Sequence, residues 1–294
     1  MEAPRSTTSV GIIGLGLMGT ALAERFLEHG YRVEVWNRTR EKASTLVTKG
    51  AEWNDNPLEK CSRIILSLYT TEVVREVLDR MKRGFRPGHI IVDTTTGDPA
   101  QTEALAEKLK ERGVLYLDAP ISGSSEQTRR GEATVIVGGD AETFQACNDL
   151  WQVIGKKIFH VGKCGSATKM KLISNLVLGL NRAALAEGLA FAEALGVSTA
   201  AALEILSSSA AYSRVMDAKG PKMIENDFTA QARLSQHLKD VRLILEAARA
   251  AALELPLSET HRQLLERAEA AGLGELDNSA IIQVLRKAKA GQTQ

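Results

Sequence analysis

The chain is short of cysteine, of net charge and of long apolar runs, and each scarcity narrows what it can do. Its three cysteines, Cys61, Cys147 and Cys164, cannot all pair internally, and their spacings do not resemble a disulfide framework. A reducing, cytoplasmic compartment is therefore the expectation. The five histidines are scattered, with no His-x-x-x-His and no Cys-x-x-Cys, so no metal site is expected. A net charge of +1 over 294 residues gives no whole-protein attraction to nucleic acid or an anionic membrane. No apolar run approaches the roughly 18 residues of a membrane span. Residues 1–9 contain no apolar secretory core, and export is not expected. There is no internal repeat and no low-complexity linker. Charged residues at 25% and hydrophobic residues at 44% are ordinary for a globular enzyme-sized protein, and the length predicts about two domains.

What is present is more specific. Gly14-Leu15-Gly16-Leu17-Met18-Gly19 follows the apolar run Val10-Gly11-Ile12-Ile13. It precedes Thr20-Ala21-Leu22-Ala23-Glu24-Arg25-Phe26-Leu27, which is apolar at helical spacing. A glycine motif alone is weak; strand, glycine turn and helix together make a dinucleotide-binding fingerprint. Gly14 permits the tight turn, Gly16 lets backbone approach a pyrophosphate, and Gly19 lets helix and strand pack closely. The N–H groups of Leu17 and Met18 then open the helix, where its positive dipole end favours phosphate. The next strand, Tyr31-Arg32-Val33-Glu34-Val35-Trp36, ends at Asn37-Arg38-Thr39. A site for NAD usually places Asp or Glu near this point, to bond the ribose 2′-OH. Here Asn37 is neutral and the Arg38 guanidinium matches a 2′-phosphate, with Thr39 adding a donor. NADP(H) is the expected cofactor; the alternative is a solvated Arg38 and either dinucleotide.

The first half alternates strand runs (10–13, 32–36, 63–68, 90–93, 114–118, 134–138 and 157–159) with helical stretches that include 99–112 and 141–154. That alternation predicts an α/β fold with a doubly wound sheet. Asp98 and Pro99 look like the cap and first residue of a helix. Beyond Gly165 the strand pattern stops. A long helix is predicted over 166–196, apolar on several faces, as suits a helix buried between domains or subunits. Gly179 and Gly188 inside it predict close packing against another helix, because an interior Gly costs about 1 kcal/mol against Ala. Helices are also expected over 199–207, 231–252, 257–271 and 279–290, with a frayed end at 291–294. The resulting division is an N-terminal doubly wound Rossmann domain, 1–164, joined by the long helix to an all-α C-terminal domain, 165–294.

The start of the long helix carries two lysines, Lys169 and Lys171. Lys171 and Asn175 are four apart and share a face, whereas Lys169 does not. A lysine ammonium can protonate the alkoxide formed when hydride reaches a carbonyl. Spacing alone leaves a solvent-facing or ion-paired Lys171 as the plainer alternative.

Five stretches, in order, resemble the β-hydroxyacid dehydrogenase family. They are the glycine turn with Asn37-Arg38-Thr39; Asp93-Thr94-Thr95-Thr96; Asp118-Ala119-Pro120-Ile121-Ser122-Gly123-Ser124; the run from Gly162 to Asn175; and Lys239-Asp240. Together they span nearly the whole chain. Within the family, Lys169-Met170-Lys171-Leu172-Ile173 and Lys219-Gly220-Pro221 resemble NADPH-dependent glyoxylate/succinic semialdehyde reductases. The resemblance implies that Lys171 is the general acid with Asn175 beside it. It implies that Ser122, Gly123 and Ser124 bind the substrate carboxylate, partly through backbone N–H groups. It also places Leu68 along the cofactor, Thr96 against the nicotinamide ribose, and Lys239 and Asp240 at cofactor and substrate. Thr96 as a mere turn residue and Lys239-Asp240 as a solvated face remain alternatives.

Two positions depart from the family pattern. Ala167 replaces the usual glycine. Ala232, followed by Arg233, stands where related reductases carry an aromatic, eight residues before Asp240. Cys164 reads as a bystander. The reading that results is NADPH-dependent reduction of a small aldehyde or keto acid in a homodimer or homotetramer. Oxidation of a 3-hydroxyisobutyrate- or tartronate-type acid is the alternative within enzymes. A catalytically silent NADP-binding assembly module is the alternative outside them.

Overall fold

A computed structural model describes residues 8–287. The frayed end expected at 291–294, and the last part of the helix expected over 279–290, lie outside the described residues. The chain divides into two compact units between Lys171 and Leu172.

Short apolar runs become the central strands of the first unit. These are β1 (Ser9–Ile13), β2 (Arg32–Trp36), β3 (Glu52–Trp53), β4 (Arg63–Leu66), β5 (Ile90–Asp93) and β6 (Leu115–Asp118), hydrogen-bonded in the order β3-β2-β1-β4-β5-β6. All five pairings are parallel. Four helices fall between the strands: α1 (Leu17–Glu28), α2 (Ser44–Thr48), α3 (Thr71–Met81) and α4 (Pro99–Lys110). One face of the sheet buries Val10, Ile12, Val33 and Val35 with Leu22 and Phe26 of α1. The other buries Ile13, Ile64, Leu66 and Ile91 with Val74, Leu78 and Leu105 of α3 and α4. Cover on both faces is why these strands read as nearly continuous apolar runs. The strand order turns back on itself at β1, between β2 and β4, the switch point at which open α/β sheets bind ligands.

The wound sheet ends at β6. The runs at 134–138 and 157–159 belong instead to a second sheet, ordered β7 (Ile121–Ser122), β8 (Thr134–Val137) and β9 (Lys157–His160). Its β7–β8 pair is antiparallel and its β8–β9 pair parallel. Pro120, without an N–H, cannot extend β6 as a ladder donor. Asp118 and Gly138 then exchange N–H···O bonds of 3.1 and 2.8 Å, which bridge the two sheets. α5 (Ser125–Arg129), α6 (Ala141–Gln145) and α7 (Asn148–Ile154) lie among these strands. β3 and β7 have two residues each, too few for alternation to reveal.

α8 (Ser166–Ala194), 29 residues long, starts in the first unit and runs into the second. The second unit continues with α9 (Thr199–Ser207), α10 (Val215–Glu225), α11 (Leu234–Ala250), α12 (Pro256–Ala270) and α13 (Ile282–Lys287). Its core packs Leu185 and Leu189 of α8 against Met216 and Met223 of α10, Leu238, Val241 and Leu245 of α11, and Leu265 of α12. α10 is not among the helices that the sequence predicts, and it contains Gly220 and Pro221, both poor helix formers. An interior Pro costs about 3 kcal/mol. Here the glycine earns its place: a Cβ on Gly220 would come within 2.6 Å of the Leu203 side chain on α9. Of the two glycines expected to mark close packing in α8, one does. A Cβ on Gly179 would lie 2.6 Å from His237 Nε2 and 2.8 Å from His261 Cε1. Gly188 has nothing within 4 Å, so its expected packing is absent among the described residues. None of the described helices is long and apolar enough to cross a membrane.

Candidate active site

The glycine turn lies at the carboxyl end of β1, and its three glycines are required for different reasons. Gly14 has φ +98°, and a Cβ there would lie 2.3 Å from Ser67 O. A Cβ on Gly19 would lie 1.8 Å from Gly14 O, so turn and helix are in backbone contact. Gly16 is different: it is exposed, with φ −80°, and a Cβ would meet nothing within 4 Å. The protein itself does not need that glycine. Gly16 also caps α1 without a side-chain bond. The first N–H groups of the helix, including those of Leu17 and Met18, lack intrahelical acceptors. Open space over Gly16, before helix-opening N–H groups, fits a dinucleotide pyrophosphate.

Asn37 is engaged by the turn. The Leu15 N–H donates to Asn37 Oδ1 (3.0 Å), and Asn37 Nδ2 donates to Thr39 O (2.9 Å). The side chain that stands where an NAD site has its acid thus ties β2 to the turn. Arg38 and Thr39 are exposed, and Arg38 has no ion-pair partner among the described residues. The neighbouring Arg40 guanidinium lies over the Trp53 ring, 5.1 Å from its centroid.

At the ends of β4, β5 and β6 a second set of groups is fixed. The Leu68 N–H donates to Thr95 Oγ1 (3.1 Å), and the Thr95 N–H donates to Asp93 Oδ1 (2.9 Å). Tyr116 donates its hydroxyl to Asp93 Oδ2 at 2.5 Å. Burial pushes the Asp93 carboxyl up to about 6, against these hydrogen bonds. Thr96, half-buried, follows this locked turn, and Asp98 then caps α4 by accepting the Gln101 N–H at 2.7 Å. Thr96 therefore stands between two fixed points.

Asp118 supplies something sequence reading missed. Its Oδ1 accepts the Gly165 N–H (3.0 Å), and its Oδ2 accepts the Thr168 N–H (2.8 Å) and hydroxyl (2.9 Å). A carboxylate at the end of β6 thus caps the first turn of α8, about 50 residues later. A local cap would have shown as a sequence motif; a remote one does not. Ala167, in that turn, is fully buried; its N would lie 3.1 Å from a Cβ on Gly138. Lys171 follows one residue turn after Thr168 and is buried at 7% exposure. Lys169, 57% exposed, pairs with Glu103 at 2.7 Å. The Cys164 thiol is pushed up by burial and by the Asp118 carboxylate beside it, the opposite of an activated thiolate.

Among Ser122, Gly123 and Ser124, the last also caps a helix. Ser124 Oγ accepts the Gln127 N–H (3.2 Å), while its own N–H donates to Gln127 Oε1 (2.8 Å). This capping box opens α5 and commits the Ser124 N–H and one hydroxyl lone pair, while the hydroxyl hydrogen can still be donated to a carboxylate. Ser122 ends β7 half-buried, and Gly123 is exposed.

In the second unit, α8 and α11 bring three of the selected residues together. Asn175 Nδ2 donates to Asp240 Oδ2 (2.9 Å), and Lys239 Nζ lies 2.8 Å from Asp240 Oδ1. Asn175 and Asp240 are buried. Two turns beyond Asn175 on the same helix, Arg182 is buried beside His237, with an N···N distance of 3.5 Å. Burial lowers the Arg182 guanidinium to about 10, against the fields of Asp277 and Asp240. On one helix face, Lys171, Asn175 and Arg182 recur at helical spacing.

A glycine turn at a sheet switch point, followed by a helix that presents a buried lysine, defines a nicotinamide-dependent oxidoreductase. Residues 9–162 match the NAD-binding domain of 6-phosphogluconate dehydrogenase, and residues 165–285 match the NAD-binding domain of NADP-dependent 3-hydroxyisobutyrate dehydrogenase. The chain belongs to the β-hydroxyacid dehydrogenase family. It is 30% identical, over 96% of its length and 81% of the relative's, to Arabidopsis thaliana glyoxylate/succinic semialdehyde reductase 2, chloroplastic. It is 33% identical to 2-(hydroxymethyl)glutarate dehydrogenase of Eubacterium barkeri, over 94% of each chain. A solved structure of Psf3 in complex with NADP+ and 2-OPP has a TM-score of 0.87 and 26% identity, covering 94% of this chain and 99% of that one.

Proposed function

We propose that the protein reduces a small aldehyde or keto acid with NADPH, glyoxylate and succinic semialdehyde being the leading substrates. The observation that carries this is Lys171: buried, and on a helix whose first turn is gripped by Asp118. A bound nicotinamide supplies hydride to the carbonyl carbon. Lys171 delivers the proton to the developing alkoxide. Asn175 gives its amide N–H to Asp240, so its Oδ1 is left to accept a hydrogen bond. On the same helix face one turn away, the Lys171 ammonium is the matching donor. Asp240 thereby orients the amide that orients the acid. Ser122, Gly123 and Ser124 take the substrate carboxylate, and Ser124 also fixes the turn by capping α5. Lys239 is assigned to substrate and cofactor, and Asp240 to cofactor, by the family resemblance.

For the cofactor, Gly14, Gly16 and Gly19 with the N–H groups of Leu17 and Met18 take the pyrophosphate. Arg38 and Thr39 take the 2′-phosphate, with Asn37 holding the turn beneath them. Leu68 and Thr96 lie along the nicotinamide end. The NADP preference is supported by Arg38, and by relatives whose descriptions name NADP. The domain division at 164/165, a cytoplasmic location and a homo-oligomer belong to the same reading. Ile173, Val177 and Phe191 recur along one side of α8 and are 52% exposed or more, which supports a second copy covering them. Oxidation of a 3-hydroxy acid is the second reading, favoured by the 33% identity to a hydroxymethylglutarate dehydrogenase. A panel of aldehyde, keto and hydroxy acids with NADPH and NADH in parallel tests both. Turnover of the aldehyde and keto acids with NADPH is expected. Preferred turnover of 3-hydroxy acids selects the second reading, and no turnover of any acid leaves a silent cofactor-binding module.

A further inference from the structure

Asp277 is a fully buried carboxylate that ties three separate segments of the second unit. Lys219 Nζ, from the interior of α10, reaches both oxygens, at 2.8 and 2.9 Å. The backbone N–H groups of Gln231 and Ala232 donate to Oδ2 at 3.0 and 3.2 Å. The Ser279 N–H and hydroxyl donate to Oδ1 at 3.1 and 2.8 Å. The clamp continues along the backbone. The Asp277 N–H donates to Phe228 O, the Asn278 N–H to Ala232 O and the Leu234 N–H to Leu276 O, each at 2.9 Å. Residues 228–234 are therefore fastened along their length to residues 276–278, with one carboxylate at the centre.

The Lys219 side chain is 10% exposed and its partner's is 0%. Burial raises the Asp277 carboxyl, but Lys219 and the backbone donors outweigh that and hold it below its usual range. A buried ion pair is not the cheapest way to stabilise a helical core; well-packed apolar residues commonly do as well. What a carboxylate does that an apolar residue cannot is hold two consecutive N–H groups in fixed position. Those two belong to Gln231 and Ala232, and Ala232 stands where related reductases place an aromatic.

The geometry points to the Lys219–Asp277 pair as a positioning device that sets where the Gln231–Ala232 segment stands and so selects substrate chain length. This rests on the reductase reading, in which Ala232 lies against the substrate. Neither Lys219 nor Asp277 touches a reacting atom; both act through the segment. The pair also gives Lys219 of the Lys219-Gly220-Pro221 run a physical role: it stands in the second turn of α10 and reaches Asp277.

The test is Lys219→Met in the full-length protein, with Lys219→Arg as the conservative rescue. Asp277 keeps its four N–H and O–H donors in the Met variant, which favours folding. Ser279→Ala, which removes one neutral donor, is the milder second variant should Met fail to fold. Two quantities are read. Hydrogen exchange at the Gln231 and Ala232 amides should speed by roughly tenfold or more as the segment opens locally. The ratio of kcat/KM between the shortest and longest acids that the wild type turns over should shift by roughly tenfold, through KM, with NADPH affinity unchanged. Arg should return both toward wild type. Unchanged exchange overturns the clamp. Faster exchange with an unchanged ratio overturns the link to specificity. If the wild type turns over no acid, the reductase reading fails on its own, while the exchange measurement still decides the clamp.

Discussion

The two units hold their candidate functional groups in different ways. In the first, the groups offered to a ligand are largely backbone: the glycine turn, the opening N–H groups of α1, and the turn after β7. Glycine conformation and short-range hydrogen bonds set them, as Gly14 does through its φ of +98° and Thr95 through Asp93 two residues before it. In the second, side chains are held by other side chains far away in the sequence. Asn175 and Asp240 are 65 residues apart, Lys219 and Asp277 are 58, and Arg182 and His237 are 55. A backbone site tolerates side-chain change except where a Cβ intrudes. A site of paired buried side chains fails when either partner goes, because the survivor is left uncompensated. Lys171 is the last residue of the first unit, on a helix whose first turn is held by Asp118.

Removal of that lysine should have the largest effect. Lys171→Ala should lower kcat by roughly 10²–10⁴-fold, the usual share of general acid catalysis. Cofactor titration should show NADPH binding nearly intact, since the glycine turn is untouched. Near-normal turnover would take Lys171 out of the mechanism.

A smaller effect should come from the wall that Asp277 holds. Ala232→Phe should move the kcat/KM ratio of glyoxylate over succinic semialdehyde upward by roughly 10- to 200-fold, the range for pocket changes on this scale. Ala232 is only half-buried, and its N–H stays bonded to Asp277 whatever the side chain. An unchanged ratio would show that the residue does not line the substrate.

In the first unit, Arg38→Ala should weaken NADPH by roughly 10- to 150-fold and leave NADH almost unaffected, a charge-assisted contact being worth about 1.5–3 kcal/mol. Parallel titrations decide it, and equal weakening of both cofactors would make Arg38 a structural residue.

The glycines give the finest comparison. Gly19→Ala forces a Cβ against Gly14 O and should cost about 1–3 kcal/mol in denaturant unfolding. Gly16→Ala should leave stability unchanged and weaken only the dinucleotide, because no protein atom lies within 4 Å of the new Cβ. In α8, Gly179→Ala should destabilise through His237 and His261. Gly188→Ala should instead stabilise by about 1 kcal/mol, the helix propensity difference alone. A loss of stability at Gly188 would mean that something outside this chain packs there.

The sequence by itself determined the elements whose causes are local. The strand, glycine turn and helix at residues 10–27 and the cap of α4 by Asp98 follow from neighbours a few residues apart. So does the placing of Lys171 rather than Lys169 on the face of Asn175, which needs only the helical repeat. Tertiary structure decided the rest. It placed the runs near 134–138 and 157–159 in a sheet with β7 rather than beside β6. It turned Asp118 into the cap of α8 and Asn37 into a tie for the glycine turn. It carried α10 past Pro221 and joined Lys219 to Asp277. Each of these depends on a partner that the fold brings close and that no local pattern names. A buried charge is stable only beside its counter-charge, and which counter-charge that is can be read only once the helices have packed.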